Sequence, residues 1–177
     1  MNELFNIIFN HISKRVESLS TIEQRRFREK GIGLEGWLKV EILKALELAG
    51  KINIVKDVKG KGPDLIFKNG LKVELKAASD FNYKYFLSGL GYKNCSYCIF
   101  LGYNEKDIGE EDVKKQFKIY SEKEEIDLKK EVNRGGKKQI KSYKGKVKIK
   151  ENPKVKEIRK AGNKRTGWFL GLLEKAG

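Results

Sequence analysis

The segment Gly62-Pro63-Asp64-Leu65-Ile66-Phe67-Lys68-Asn69-Gly70-Leu71-Lys72-Val73-Glu74-Leu75-Lys76-Ala77 decides how this chain folds. Two short apolar-rich runs, Leu65 to Phe67 and Leu71 to Leu75, flank an Asn69-Gly70 pair. Asn and Gly tolerate positive φ, so such a pair between strand-like runs predicts a β-hairpin. A two-residue loop of Asn69 and Gly70 sets Asp64 opposite Leu75 and mixes polar with apolar residues on both faces. A three-residue loop, Lys68-Asn69-Gly70 closed by a left-handed glycine bulge, sets Phe67 opposite Leu71, Leu65 opposite Val73 and Asp64 opposite Glu74. One face then holds Leu65, Phe67, Leu71, Val73 and Leu75, and the other holds Asp64, Ile66, Lys72, Glu74 and Lys76. Burial selects the register, because a one-residue slip turns the whole apolar set to water. The three-residue loop is therefore expected, with the Cβ atoms of Asp64 and Glu74 about 5 Å apart and Lys76 alongside.

Pro63-Asp64, a hairpin, and then Glu74-Leu75-Lys76 resemble the signature of the PD-(D/E)xK nucleases, the superfamily of type II restriction enzymes and archaeal Holliday-junction resolvases. The resemblance covers residues 34 to 103 and says little about the last third. It implies an α/β, restriction-endonuclease-like fold, with a mixed central sheet flanked by helices. It also implies a Mg²⁺-dependent endonuclease hydrolysing DNA phosphodiester bonds, with Mn²⁺ as a substitute ion. A homodimer whose two sites address two strands is implied as well. The spacing suits that chemistry. Two close acids repel unless a cation sits between them. Asp64, Glu74 and the backbone carbonyl of Leu75 make a hard oxygen site for Mg²⁺, an ion that keeps several waters and lowers the pKa of one. Lys76 would orient or deprotonate the attacking water and offset charge on the phosphorane. The competing expectation is a solvated face of weak surface ion pairs.

Upstream, Leu34 to Ala49 reads as a helix ended by Gly50. Its apolar stripe is Leu34, Trp37, Leu38, Ile42, Ala45, Leu48 and Ala49, and Glu41 falls inside that stripe. A carboxylate on a buried face is costly unless it is paired or metal-linked. Nucleases of the superfamily carry an acid on the helix before the hairpin. By the resemblance Glu41 takes that place as a catalytic residue, with Glu35, at the edge of the stripe, as the reserve. Pairing of Glu41 with Lys44 or Lys76 is the alternative reading.

The chain has 177 residues and a formal net charge of +15. Residues 134 to 177 carry 15 basic and 3 acidic side chains, whereas residues 81 to 133 carry 9 and 10. A field this positive favours a polyanion, and nucleic acid is the usual one because each neutralised phosphate releases counterions. The competing expectation is a solubilising lysine surface. The start of the chain lacks the pattern of a secretory signal, and no run approaches a membrane span, so a cytoplasmic protein is expected. One domain is expected over 1–177, with an N-terminal helical elaboration at 1–33, a catalytic core at 34–120 and a basic nucleic-acid-binding elaboration at 134–177.

Leu4, Phe5, Ile8, Ile12, Val16 and Leu19 recur at helical spacing, predicting a first helix for packing or dimerisation. His11, the single histidine, reads as a surface or satisfied side chain. Ser20 to Glu23 has the form of a capping box opening a helix with Arg25, Arg26, Arg28 and Lys30, a cluster that faces either phosphate or water. Lys51 to Lys59 reads as a strand, and the Gly60-Lys61-Gly62 loop as one able to approach a phosphate backbone. The aromatic-rich segment from Phe81 to Tyr97 divides between core and base stacking. Ser96 to Tyr103 reads as a buried strand. Cys95 and Cys98, with no further thiol and no nearby histidine, read as small core residues. A helix is expected to end near Tyr120, and 121–133 reads as an exposed linker or helix. Lys138 to Ser142 and Lys146 to Lys150 read as a cationic hairpin around a Lys144-Gly145 turn. Asn152-Pro153 reads as the start of a helix ending at Ala161, and Trp168 to Leu173 as a final strand or amphipathic segment. The phosphate-binding residues expected are Lys61, Lys137, Lys138, Lys141, Lys144, Lys146, Lys148, Lys164 and Arg165. Alternatives to the endonuclease are a catalytically silent nucleic-acid-binding protein on the same fold, or a nuclease for branched or single-stranded DNA.

Overall fold

The computed structural model describes residues 1–29, 33–56, 63–91, 95–106, 108–158 and 167–177. Strands β2 (Leu65–Phe67) and β3 (Lys72–Ala78) form the expected hairpin, with Leu65 opposite Val73 and Ile66 opposite Lys72. The loop is the three-residue one. Gly70 N–H donates to the Phe67 carbonyl, Phe67 N–H donates to Leu71, and Gly70 sits at φ +84°, which an L side chain rarely adopts. Leu65, Phe67, Val73 and Leu75 are buried on one face, as their alternation requires.

Around this hairpin the chain builds a six-stranded mixed sheet. Strand β1 (Val55–Lys56) lies antiparallel outside β2, and β4 (Tyr97–Asn104) lies parallel to β3. Strand β8 (Gly167–Glu174) is antiparallel to β4, and β7 (Lys154–Ile158) closes the other edge, for an order of β1-β2-β3-β4-β8-β7. Both β4 and β8 are buried along nearly their whole length, which is why they read as continuous apolar runs.

Helices cover both faces. On one, α1 (Asn2–Ser18) and α3 (Leu34–Leu48) pack over the hairpin's apolar side, joining Phe5, Ile8, Ile12, Leu38 and Ile42 to Leu65, Val73 and Leu75 in one cluster. The first helix thus packs within its own chain. Helix α2 (Thr21–Arg28) begins with the expected capping box between Ser20 and Glu23. On the other face, α4 (Tyr83–Ser88) and α5 (Glu110–Lys123) bury Phe86, Val113 and Phe117 against Phe100 and Phe169. Phe81 meets four of these rings edge-on. Cys95 and Cys98 are free, buried thiols, as expected of core residues.

Four sequence-based expectations are corrected. The segment 121–133 is neither linker nor uniform helix: α5 runs to Lys123, and β5 (Ile126–Arg134) then pairs with β6 (Lys137–Gly145) in a separate two-stranded ribbon. The ribbon turns at Gly135 and Gly136, both left-handed at φ +57° and +77°, and not at Lys144-Gly145. Two consecutive positive-φ residues are what a two-residue hairpin loop of matching twist demands. Lys146 and Lys148 accordingly lie in an extended stretch after the ribbon, with Val147 buried between them. Third, Asn152-Pro153 opens β7 and not a helix, because pairing with β8 and burial of Val155 and Ile158 outweigh the local capping preference. Of the strand expected over Lys51 to Lys59, the described part is a 3-10 turn at Ile52–Ile54 followed by the short β1, and 57–59 lie outside the described residues. Lys61, Lys164, Arg165 and the Gly60-Lys61-Gly62 loop lie outside the described residues. Among the described residues no helix is long and apolar enough to cross a membrane.

Candidate active site

Strand β3 turns Glu74 and Lys76 to the face opposite its buried Val73 and Leu75. Glu74 is 6% exposed, and its Oε1 accepts a hydrogen bond from Lys76 Nζ at 3.3 Å. Asp64, the residue before β2, accepts from the Leu75 backbone N–H at 2.9 Å through Oδ2. The hairpin register therefore does two things at once. Continued one residue past the Leu65–Val73 pair it sets Asp64 opposite Glu74, and it ends β2 early enough that a carboxylate takes the place of the next ladder carbonyl. The N–H and C=O of one strand residue point to the same flank, so the Leu75 carbonyl shares the flank where Asp64 sits.

The electrostatics of the pair are unbalanced. Burial, and then the charge of Asp64, push the Glu74 carboxyl up to about 7, although Lys76 pulls the other way. Among the described residues, three buried side-chain polar atoms lack a hydrogen-bond partner, and Glu74 Oε2 is the one that belongs to an ionisable group. A buried carboxylate oxygen without a donor is a costly arrangement in a folded chain. Burial also works against the charge on Lys76, but Glu35 and Glu74 more than compensate and hold it above the usual lysine range. Lys76 is therefore an ammonium here, suited to orienting water and offsetting charge.

Helix α3 supplies the acid near this site, and it is Glu35, not Glu41. Glu35, in the first turn, lies 3.8 Å from Lys76 Nζ and accepts a 2.7 Å hydrogen bond from the Tyr85 hydroxyl. The Lys76 ammonium also stands 5.3 Å from the centroid of the Tyr85 ring. Glu41 is buried, as its place in the apolar stripe requires, but it faces α1. His11 Nε2 lies 2.8 Å from Oε2, Arg15 Nε donates to the same oxygen at 3.2 Å, and Lys44 donates to Oε1 at 3.3 Å. Burial raises the Glu41 carboxyl, yet His11, Lys44 and Arg15 together bring it below the ordinary value. The correction has a simple cause: helical periodicity reports that a side chain is inside, not which neighbour meets it there.

Glu35, Glu74, Lys76 and Tyr85 line a cleft of about 430 Å³ whose far wall is Asp127 and Lys129, at the root of the β5–β6 ribbon. Tyr85, Asp127 and Lys129 are members of this cleft that sequence reasoning did not assign to it. Tyr85 was visible only as one aromatic among several. Asp127 and Lys129 lay in a stretch without a burial signal.

Among the described residues no three His, Cys, Asp or Glu side chains converge on one point. The oxygen donors on the hairpin are Glu74, which lines the cleft, Asp64, which is held by the Leu75 N–H, and the Leu75 carbonyl. This set fits a hard cation that retains several waters, and the partnerless Glu74 Oε2 is the atom such an ion would satisfy. Of the lysines expected to hold phosphate, Lys137, Lys138, Lys141 and Lys144 are exposed on β6, with Lys138 paired to Glu131 and Lys144 to Asp127. Comparison with family models, with curated proteins and with solved structures gives no significant match.

Proposed function

We propose that this protein is a Mg²⁺-dependent deoxyribonuclease of the PD-(D/E)xK kind, on a restriction-endonuclease-like sheet. The observation that carries the reading is Glu74, a buried carboxylate with one oxygen unpartnered, set beside Asp64 and within reach of the Lys76 ammonium. Two acids in such surroundings favour a divalent cation, and Mn²⁺ would fit the same oxygens.

Asp64, Glu74 and the Leu75 carbonyl would hold the ion, whose chemistry is to lower the pKa of a bound water and polarise a phosphoryl oxygen. The residues of the chain do the rest. Asp64 is fixed by the Leu75 N–H, so its position is set before any ligand arrives. Lys76, kept charged by Glu35 and Glu74, orients the attacking water and offsets negative charge that builds on the phosphate. Tyr85 anchors the Glu35 carboxylate and so steadies Lys76 through it. Glu41 belongs to the α1–α3 interface. A cytoplasmic homodimer completes the reading, since two sites are needed to cut two strands in one encounter.

The test is cleavage of labelled duplex, four-way-junction and single-stranded DNA by the wild type and by Asp64→Ala, in Mg²⁺, Mn²⁺ or EDTA. Cleavage that requires both Asp64 and a divalent ion supports the nuclease. Salt-sensitive DNA binding with no cleavage in either metal would reject it and leave a binding protein.

A further inference from the structure

The β5–β6 ribbon is the largest feature the proposed chemistry leaves unused. Each strand has nine residues, so the ribbon is about 30 Å long. Only its root is anchored, where Ile126 and Leu128 enter the core beside Phe86 and Phe117. Beyond Leu128 the residues of both strands are exposed apart from the half-buried Val132 and Gly145.

The register sorts the outer half by face. Residues directly opposite in an antiparallel pair share a face. Lys130 lies opposite Lys141, Val132 opposite Gln139 and Arg134 opposite Lys137, all on the face that carries Ile126 and Leu128 at the root. That outer face holds four cations and no acid. Among the described residues none of the four forms an ion pair, whereas on the opposite face Lys138 is neutralised by Glu131 and Lys144 by Asp127. Like charges placed directly across a ladder destabilise it, and here two such pairs, Lys130 with Lys141 and Arg134 with Lys137, stand four residues apart. The arrangement makes sense when a polyanion lies against it.

We propose that the outer half of the β5–β6 ribbon is an arm that grips double-helical DNA, with Lys130, Arg134, Lys137 and Lys141 on its phosphates. Shape selects the partner. The major groove of B-form DNA admits a two-stranded ribbon, while the deep, narrow major groove of duplex RNA does not. Single strands are held largely by stacking on aromatic rings, and the outer face offers none, since Tyr143 lies back at the level of Leu128. The root of the same ribbon lines the cleft through Asp127 and Lys129, so DNA held by the arm is tethered to the site. The assignment rests on the nuclease reading for the meaning of that tether, but binding by the arm is measurable without cleavage.

The test compares wild type with Lys130→Gln/Arg134→Gln/Lys137→Gln/Lys141→Gln. Binding to a 30-base-pair DNA duplex, the same-length RNA duplex and the single strand is measured in EDTA across a salt series, and cleavage of the DNA duplex in Mg²⁺ is followed in parallel. All four side chains are exposed and form two like-charge pairs across the ladder, so the variant should melt at or slightly above the wild type. Lys138→Gln/Lys144→Gln, on the ion-paired face, serves as a control for lost charge. The expected result is a salt slope for DNA duplex lower by about 3 to 4 in the fourfold variant and by less than about 1 in the control. An unchanged slope, equal losses in both variants, or equal wild-type affinity for RNA duplex or single strand would overturn the arm. Cleavage by a wild type whose slope is unaffected by the variant rejects the arm and keeps the nuclease. A reduced slope in a protein that never cleaves keeps the arm and rejects the nuclease.

Discussion

Glu41 and Glu74 are both buried carboxylates, 2% and 6% exposed, and they have opposite fates. Glu41 has three nitrogen partners from two helices, and its carboxyl is held below the ordinary value. Glu74 has one, at 3.3 Å, an acid for a neighbour and an oxygen with no donor, and its carboxyl is pushed up to about 7. A buried charge that the fold has satisfied fastens two elements together. One that the fold leaves partly unsatisfied is a site that a ligand can complete. Sequence position alone ranks the two the other way, since Glu41 sits in the centre of its stripe.

The largest effect expected from this contrast is on catalysis. Glu74→Gln should lower Mg²⁺-dependent DNA cleavage by about 10³-fold or more in single-turnover assays. Retention of activity within tenfold would remove Glu74 from the site. Glu41→Ala should instead destabilise the protein by about 2 kcal/mol, since its three partners are themselves partly hydrated. The denaturant midpoint should drop with the m-value unchanged, while cleavage per folded molecule stays at the wild-type level.

Opposite pH slopes follow from opposite shifts. Glu74, raised in the fold, binds a proton there at pH values where the unfolded chain has already released it, so metal-free stability falls as pH rises from about 4.5 to about 7. The loss is at most about 3 kcal/mol. Glu41, lowered in the fold, contributes stability that is present above its unfolded value and lost as pH falls through the folded one. Melting curves in EDTA should therefore show Glu74→Gln flattening the neutral limb and Glu41→Gln the acid limb. Adding Mg²⁺ should raise the wild-type melting temperature more at pH 8 than at pH 5.5, because protons and metal compete for the same carboxylate.

Smaller effects separate positioning from chemistry. Tyr85→Phe, which removes the hydroxyl on Glu35, should cost about 3- to 10-fold in cleavage and leave metal-dependent stabilisation intact. Glu35→Gln should cost at least as much, by loosening Lys76. Leu48→Lys should shift stability by less than about 0.5 kcal/mol, although the helical stripe includes Leu48. Its side chain is 78% exposed, and Leu46 is buried in its stead.

The hairpin was legible because two signals agreed. Asn69-Gly70 marked the turn and alternation of the apolar residues chose its length, so the register of Leu65 with Val73 followed from residues close in the chain. The choice between Glu35 and Glu41 was not legible, because it depends on His11 and Arg15, which reach Glu41 from 30 and 26 positions away. The ribbon was misplaced for a different reason. An exposed strand such as Lys137–Gly145 has no buried face to imprint a period, so the Lys144-Gly145 pair competed with Gly135-Gly136 on turn chemistry alone. Strand β7 was lost to the Asn152-Pro153 signal because its pairing partner, β8, lies beyond it in the chain.

The place of β8 in the sheet bears on how the molecule assembles. Tyr97 and Glu174 are 77 residues apart in sequence and opposite each other in the β4–β8 ladder. Local elements such as the β2–β3 hairpin can close within microseconds, but β4, on its edge away from β3, must wait for a partner across a long loop. Until then it presents an open edge of Cys98, Ile99, Phe100 and Leu101 side chains flanked by unpaired backbone, the pattern that recruits other chains. Refolding yield should fall steeply with protein concentration, and pulse-labelling of amide hydrogens should find the hairpin protected before β4 and β8, which gain protection together.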